Sequence, residues 1–165
     1  MTIATTMNSK LYHIFLLVAV LSFCACSGKT VFSEYQPLSR EGWHADSALC
    51  FDFAAPDTIS PYDVIISIRH TQQYPYQNMW LFISGNRTAV TGHLSSRDTI
   101  EFFLADDRGR WLGNGYGNLR EMPVLYMHNH IFRSTDTLSL CIEQAMRENT
   151  LRGISDVGVK IVKSE

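Results

Sequence analysis

An all-β fold is what this sequence predicts: an antiparallel β-sandwich of about seven or eight strands, with a barrel as the second choice. Three observations point there. Apolar residues alternate with polar ones at period two in several separate stretches, as half-buried strands require. Turn-forming clusters separate those stretches at short intervals, the spacing of all-β sandwiches. No strand–helix alternation appears that would build a parallel sheet.

The first alternation is Leu49, Phe51 and Phe53 against Cys50 and Asp52. Pro56-Asp57 and Ser60-Pro61 then signal a turn. Val64, Ile66 and Ile68 alternate with Ile65, Ser67 and Arg69 in a second strand, which Tyr74-Pro75-Tyr76-Gln77-Asn78 interrupts. Residues 79–83 form a third strand. Ser84-Gly85-Asn86-Arg87 turns the chain, residues 88–94 make a short edge strand, and residues 98–104 are β-rich in composition. Residues 106–118 read as a long loop whose four glycines allow positive φ. Residues 124–132 are extended, and residues 137–143 alternate Leu138, Leu140 and Ile142 with polar partners. Ala145, Met146, Arg147 and Glu148 are good helix formers, so residues 144–152 are expected to carry a helical turn. Residues 157–162 close the chain as a strand.

The N-terminal segment has a different logic. Lys10 precedes an apolar run over residues 11–23, and no acid occurs before Cys26. That is the layout of an export signal. The run is about thirteen residues, short of the ~20 that span a bilayer. Cys26, flanked by the small residues Ala25 and Ser27, is expected to be the acylated first residue of a lipoprotein. Cys24 would place bulky Phe23 at the cut. Residues 1–25 are then the signal, and 26–165 are one sandwich domain on a short lipidated tether. Residues 27–37 are too apolar at Val31, Phe32 and Tyr35 for a pure linker, and should dock on the fold.

Of the 165 residues, 14 are Lys or Arg and 16 are Asp or Glu. Losing residues 1–25 removes one lysine and leaves a net charge of −3. That near-neutral balance offers no electrostatic case for nucleic acid. No acid lies among Ser27, Gly28, Lys29 and Thr30; acids at those positions go with surface export of such lipoproteins. The expected location is therefore the outer membrane, facing the periplasm.

Residues along the whole mature chain carry a family resemblance. They include Val31-Phe32-Ser33-Glu34-Tyr35, Gly42-Trp43, Tyr62-Asp63-Val64, Ile68-Arg69-His70-Thr71 and Tyr74-Pro75-Tyr76-Gln77-Asn78. Further on come Ala105-Asp106-Asp107-Arg108-Gly109-Arg110-Trp111-Leu112-Gly113, then Gln144-Ala145-Met146-Arg147-Glu148-Asn149, Gly153-Ile154 and Asp156-Val157-Gly158. In these the chain resembles the gliding-motility lipoproteins called GldH, of the Bacteroidetes. The resemblance implies a membrane-anchored envelope lipoprotein associated with the gliding machinery, with other envelope proteins as partners. It implies no catalytic residue.

The residues themselves offer little chemistry. Asp106 and Asp107 beside glycines suggest calcium, but adjacent carboxylates on an extended backbone point apart. His128 and His130 would share one face of a strand, too few ligands for zinc without His44, His70 or His93. No metal, cofactor or catalytic set is expected. Cys50 and Cys141 both fall on the polar phase of their strands and bond if those strands are neighbours; two free thiols are the other outcome. Tyr74, Tyr76, Arg110, Trp111, Tyr116 and Arg147 are the candidate partner-binding residues, because loop aromatics and arginines favour interfaces. The competing reading has Trp111 and Tyr76 plugging the end of the sandwich. Exposed Trp and Tyr would equally serve a carbohydrate- or peptide-binding lipoprotein, which is the alternative function.

Overall fold

The computed structural model describes residues 29–85, 97–133, 135 and 137–165. Cys26 and the expected strand over residues 88–94 lie outside them. Eleven strands are present among the described residues: β1 (Thr30–Pro37), β2 (Trp43–His44), β3 (Leu49–Ala54), β4 (Tyr62–Thr71), β5 (Asn78–Gly85), β6 (Asp98–Phe103), β7 (Asn114–Tyr116), β8 (Leu119–His130), β9 (Thr137–Gln144), β10 (Thr150–Leu151) and β11 (Ile154–Lys163). Five make one sheet in the order β1-β11-β4-β8-β7, and four make the other in the order β3-β9-β5-β6. β2 and β10 form a small third sheet. Every pairing is antiparallel. Neither sheet closes on itself, so the architecture is a sandwich and the barrel falls away.

The alternating residues bury their apolar phase between the two sheets. Val64, Ile66 and Ile68 of β4 and Val157, Val159 and Ile161 of β11 face Phe51, Leu81, Leu140 and Ile142 from the opposite sheet, all at or near zero exposure. Burying such side chains stabilises by roughly 1.5–3 kcal/mol each, which is why the alternation sets the registers. A slip of one residue would turn these chains to water.

Within residues 27–37, the described part does more than dock. β1 pairs with β11 from Thr30↔Val162 to Pro37↔Asp156, so the first strand is zipped to the last. Its outward Tyr35 lies against Gly158, where a Cβ would come within 2.5 Å of the ring. Only glycine admits that approach.

The helical turn over residues 144–152 does not form. Gln144 is buried, and its amide donates to the Glu148 carbonyl at 2.6 Å and accepts from the Met146 N–H at 2.8 Å. Ala145 N–H goes to the Trp80 carbonyl, and Thr150 and Leu151 pair with β2. The backbone groups that a helix would use are taken, so tertiary pairing overrides local propensity. The long loop over residues 106–118 is likewise partly strand: Ala105 bridges Trp111, and β7 folds back on β8.

Candidate docking surface

The two ends of the sandwich differ. Lys29, the β3–β4 turn and the C-terminus share one end, since Lys163 N–H bonds the Lys29 carbonyl and Ser164 N–H the Pro61 carbonyl. The loops after β4, β6 and β9 meet at the other, here called the distal end. These loops hold residues 72–77, 104–113 and 145–149.

An aromatic plug organises the distal end. Tyr74 is only 3 % exposed and its hydroxyl donates to the Asn78 carbonyl at 2.8 Å. Burial drives its pKa far above the usual phenol value, so it stays protonated and donating. Gly153, at φ +84, presses its backbone against Tyr74, leaving no space for a side chain. Trp111 packs on His70 with ring centres 4.7 Å apart, and Tyr76 meets Tyr74 edge-on at 5.9 Å. The loop carrying Trp111 is shaped by Asp106, whose carboxylate accepts from Arg108 N–H, Arg110 N–H and the Arg110 guanidinium. Those bonds, the Arg110 backbone bond first, hold its pKa below the ordinary value. Gln77 ties the same loop to the strand region through the Asp106 carbonyl at 2.7 Å.

Beside the plug lies an open groove of about 580 Å³ lined by Tyr76, Asn78, Trp80, Ala145, Met146 and Arg147. A second depression of similar size runs from Pro75 past Arg147 to Arg152. Arg147 borders both. Tyr76 reaches across with its hydroxyl donating to Glu148 at 2.6 Å. The groove offers aromatic surface, a thioether and a guanidinium, the mix enriched at the centres of protein interfaces.

The six predicted residues therefore separate. Tyr74 is core and does not belong to an exposed patch. Trp111 is half-buried on His70, and Tyr76 is half-buried but lines the groove with Arg147. Arg110 is exposed but paired with Asp106. Tyr116 stands alone on the β7–β8 hairpin at 96 % exposure, over a different groove with Leu119, Arg120 and Pro123. Asn78, Trp80 and Met146 are the additions. Trp80 had a signal: if Met79, Leu81 and Ile83 face inward, Trp80 and Phe82 must face out. Arg69 belongs to the opposite face, where its guanidinium sits 3.7 Å over the Tyr35 ring and bonds Glu121 at 2.9 Å.

One further expectation changes, and an open one is decided. His128 and His130 do not share a face, because Asn129 takes φ 53 and the register slips between Tyr62↔His130 and Val64↔Met127. His128 turns outward to Asp63 at 2.9 Å, while His130 packs edge-on against Phe132. Cys50 and Cys141 stand opposite each other in the β3–β9 register and are joined as a disulfide. Among the described residues no group of three or more His, Cys, Asp or Glu is placed to hold a metal.

His70 gives the domain a predicted pH dependence. It is fully buried, its Nδ1 lies 3.2 Å from the Thr71 carbonyl and its Nε2 has no hydrogen-bond partner. Burial first, and the facing Arg120 guanidinium second, lower its pKa below 6.5. The unfolded chain then takes the proton first, so stability is full above about pH 6.5 and falls as pH drops below it. The depressed carboxyls of Asp63, Asp106 and Glu121 lose their contribution only further down, below the ordinary carboxylate range. Urea midpoints measured from pH 7.5 to pH 5.5 should decline in the parent and stay nearer level in His70→Phe. Parallel declines would show that His70 is not the cause.

A model of the GldH lipoprotein family matches residues 30–161. The gliding motility lipoprotein GldH homolog of Christiangramia forsetii is 33 % identical over 93 % of this chain and 97 % of its own. The gliding motility lipoprotein GldH of Flavobacterium johnsoniae is 30 % identical over 96 % of this chain and 100 % of its own. No solved structure matches the chain.

Proposed function

The chain belongs to the GldH lipoprotein family, a group of lipid-anchored cell-envelope proteins, and from that premise we propose that it is a non-catalytic docking subunit. In this reading residues 1–25 are removed and Cys26 carries the lipid. The body faces the periplasm from the outer membrane, and the distal groove engages another envelope protein. By the names of its relatives, that partner serves gliding motility.

One observation carries the reading. Three stretches that resemble the family, around Tyr76, Trp111 and Arg147, are far apart in sequence yet meet at the end remote from the tether. A lipoprotein that must reach a partner away from its own membrane needs its contact surface at that end. Tyr76, Trp80, Met146 and Arg147 supply apolar area and one cation there, with no nucleophile–base pair among them.

The test is a photo-crosslinker placed at Trp80 in intact cells, with the same group at exposed Asp52 on β3 as the control. Trp80 should capture a reproducible set of envelope proteins that Asp52 does not. Arg147→Glu should cut the yield about tenfold or more, the effect of losing at least ~1.4 kcal/mol at an interface. Equal capture from both positions, or an unchanged yield in Arg147→Glu, would refute the groove as the contact.

A further inference from the structure

The tether is too short to hold the body away from its membrane. Three residue steps separate Cys26 from Lys29, at most about 11 Å of chain. Lys29 is already bonded into the sheet through Lys163. The end of the sandwich that carries both termini must therefore lie on the bilayer.

That end presents apolar side chains to solvent. Ile59 is 83 % exposed at the tip of the β3–β4 turn. Ile131 follows β8, and Val31 sits at the irregularity in β1 between Thr30 and Phe32; both are about half exposed. Register brings them together. Tyr62 of the turn pairs with His130 on one side and Lys163 on the other, and Thr30 pairs with Val162.

Two of the three described acids at this end are engaged within the fold, and the third, exposed Glu165, pairs with Lys29. Asp57 accepts from Ile59 N–H, Ser60 N–H and the Tyr62 hydroxyl, which closes the turn and pushes the Ile59 side chain outward. Asp63 is occupied by Ser164, Asn129 N–H and His128. Arg133 and Lys163 are exposed around the three apolar residues. Aliphatic tips with cations beside them suit the interface between lipid headgroups and acyl chains.

We propose that Ile59, Val31 and Ile131 form a membrane-contacting footprint that seats the body on the bilayer beside its anchor. The proposal rests on Cys26 as the acylated residue. It assigns the lipid surface, not a protein, to this end, and leaves the distal groove pointing away.

The experiment uses the full acylated protein in vesicles of phosphatidylethanolamine and phosphatidylglycerol with bromine-labelled acyl chains. Ile59→Trp and, at the distal hairpin, Tyr116→Trp are compared after subtraction of the parent's own tryptophan signal. Both positions are exposed, so the fold should tolerate either change. The added indole at position 59 should be quenched severalfold more than that at position 116. Equal quenching at the two positions, with the lipid on Cys26 verified by mass, would overturn the footprint and leave the anchor standing. A chain without lipid on Cys26 would overturn both.

Discussion

Removing the Cys50–Cys141 bridge should cost the domain about 4–5 kcal/mol, by the chain-entropy estimate for a loop of 91 residues. A domain of this size has about 5–15 kcal/mol in all, so the melting temperature should fall by roughly 10–20 °C. The bridge joins β3 to β9 at a directly opposed register pair. Among the described residues β3 has only that one neighbour in its sheet, and it supplies Phe51 and Phe53 to the core. Without the bridge, β3 is held by its ladder, by those two rings and by Gln36, whose amide bonds the Cys50 carbonyl at 2.7 Å. Cys50→Ala/Cys141→Ala and the reduced parent should melt alike. A double variant that melts within a few degrees of the oxidised parent would show that the closed loop contributes little.

Trp43→Ala should be nearly as damaging, at about 3–5 kcal/mol for a fully buried tryptophan. Its indole N–H donates to the Ser47 carbonyl at 2.8 Å, and its strand pairs with Leu151 to cap the core. The two losses act together, because the cavity and the orphaned carbonyl lie at one spot. Tyr116→Ala is the comparison. That ring is almost wholly in solvent, so its removal should change stability by less than about 0.5 kcal/mol. Denaturant titrations of the two variants would separate core aromatics from surface ones. A stable Trp43→Ala protein would mean that the β2–β10 sheet is an appendage and not part of the core.

That contrast also shows where reading the residues alone succeeds. Strands with one buried face announce themselves: β3, β4 and β9 alternate in sequence, β5 and β11 stand out by β-rich composition, and each lies close to its expected position. β1 does not, because its exposed Val31 and half-buried Phe32 and Tyr35 reflect an edge position that only the pairing with β11 defines. Tyr74 and Tyr76 look alike in sequence, both beside Pro75. One is core and the other lines the groove, and Tyr74 is held close by the backbone of Gly153, about eighty residues away. Gln144 reads as a helix former until its amide is seen to bind its own loop. The phase of Cys50 and Cys141 was readable, but their adjacency was not, since strand order depends on contacts across the whole chain. The groove has the same property. Its residues come from the loop before β5, from β5 itself and from the segment after β9, and no local pattern joins them.

The zipper between the first strand and the last has a mechanical meaning. β1 runs from the tether end at Thr30 to the distal end at Pro37, antiparallel to β11. Under the proposed anchoring and docking, a pull between the lipid and the distal end would act along the strand axis. The hydrogen bonds of an antiparallel ladder stand perpendicular to that axis, so the pairs between β1 and β11 are sheared together and not peeled one after another. Detaching the body from its anchor would require most of the ladder to give way at once. β1 thus forms a seam that resists shear between the N-terminal end of the sandwich and its distal end.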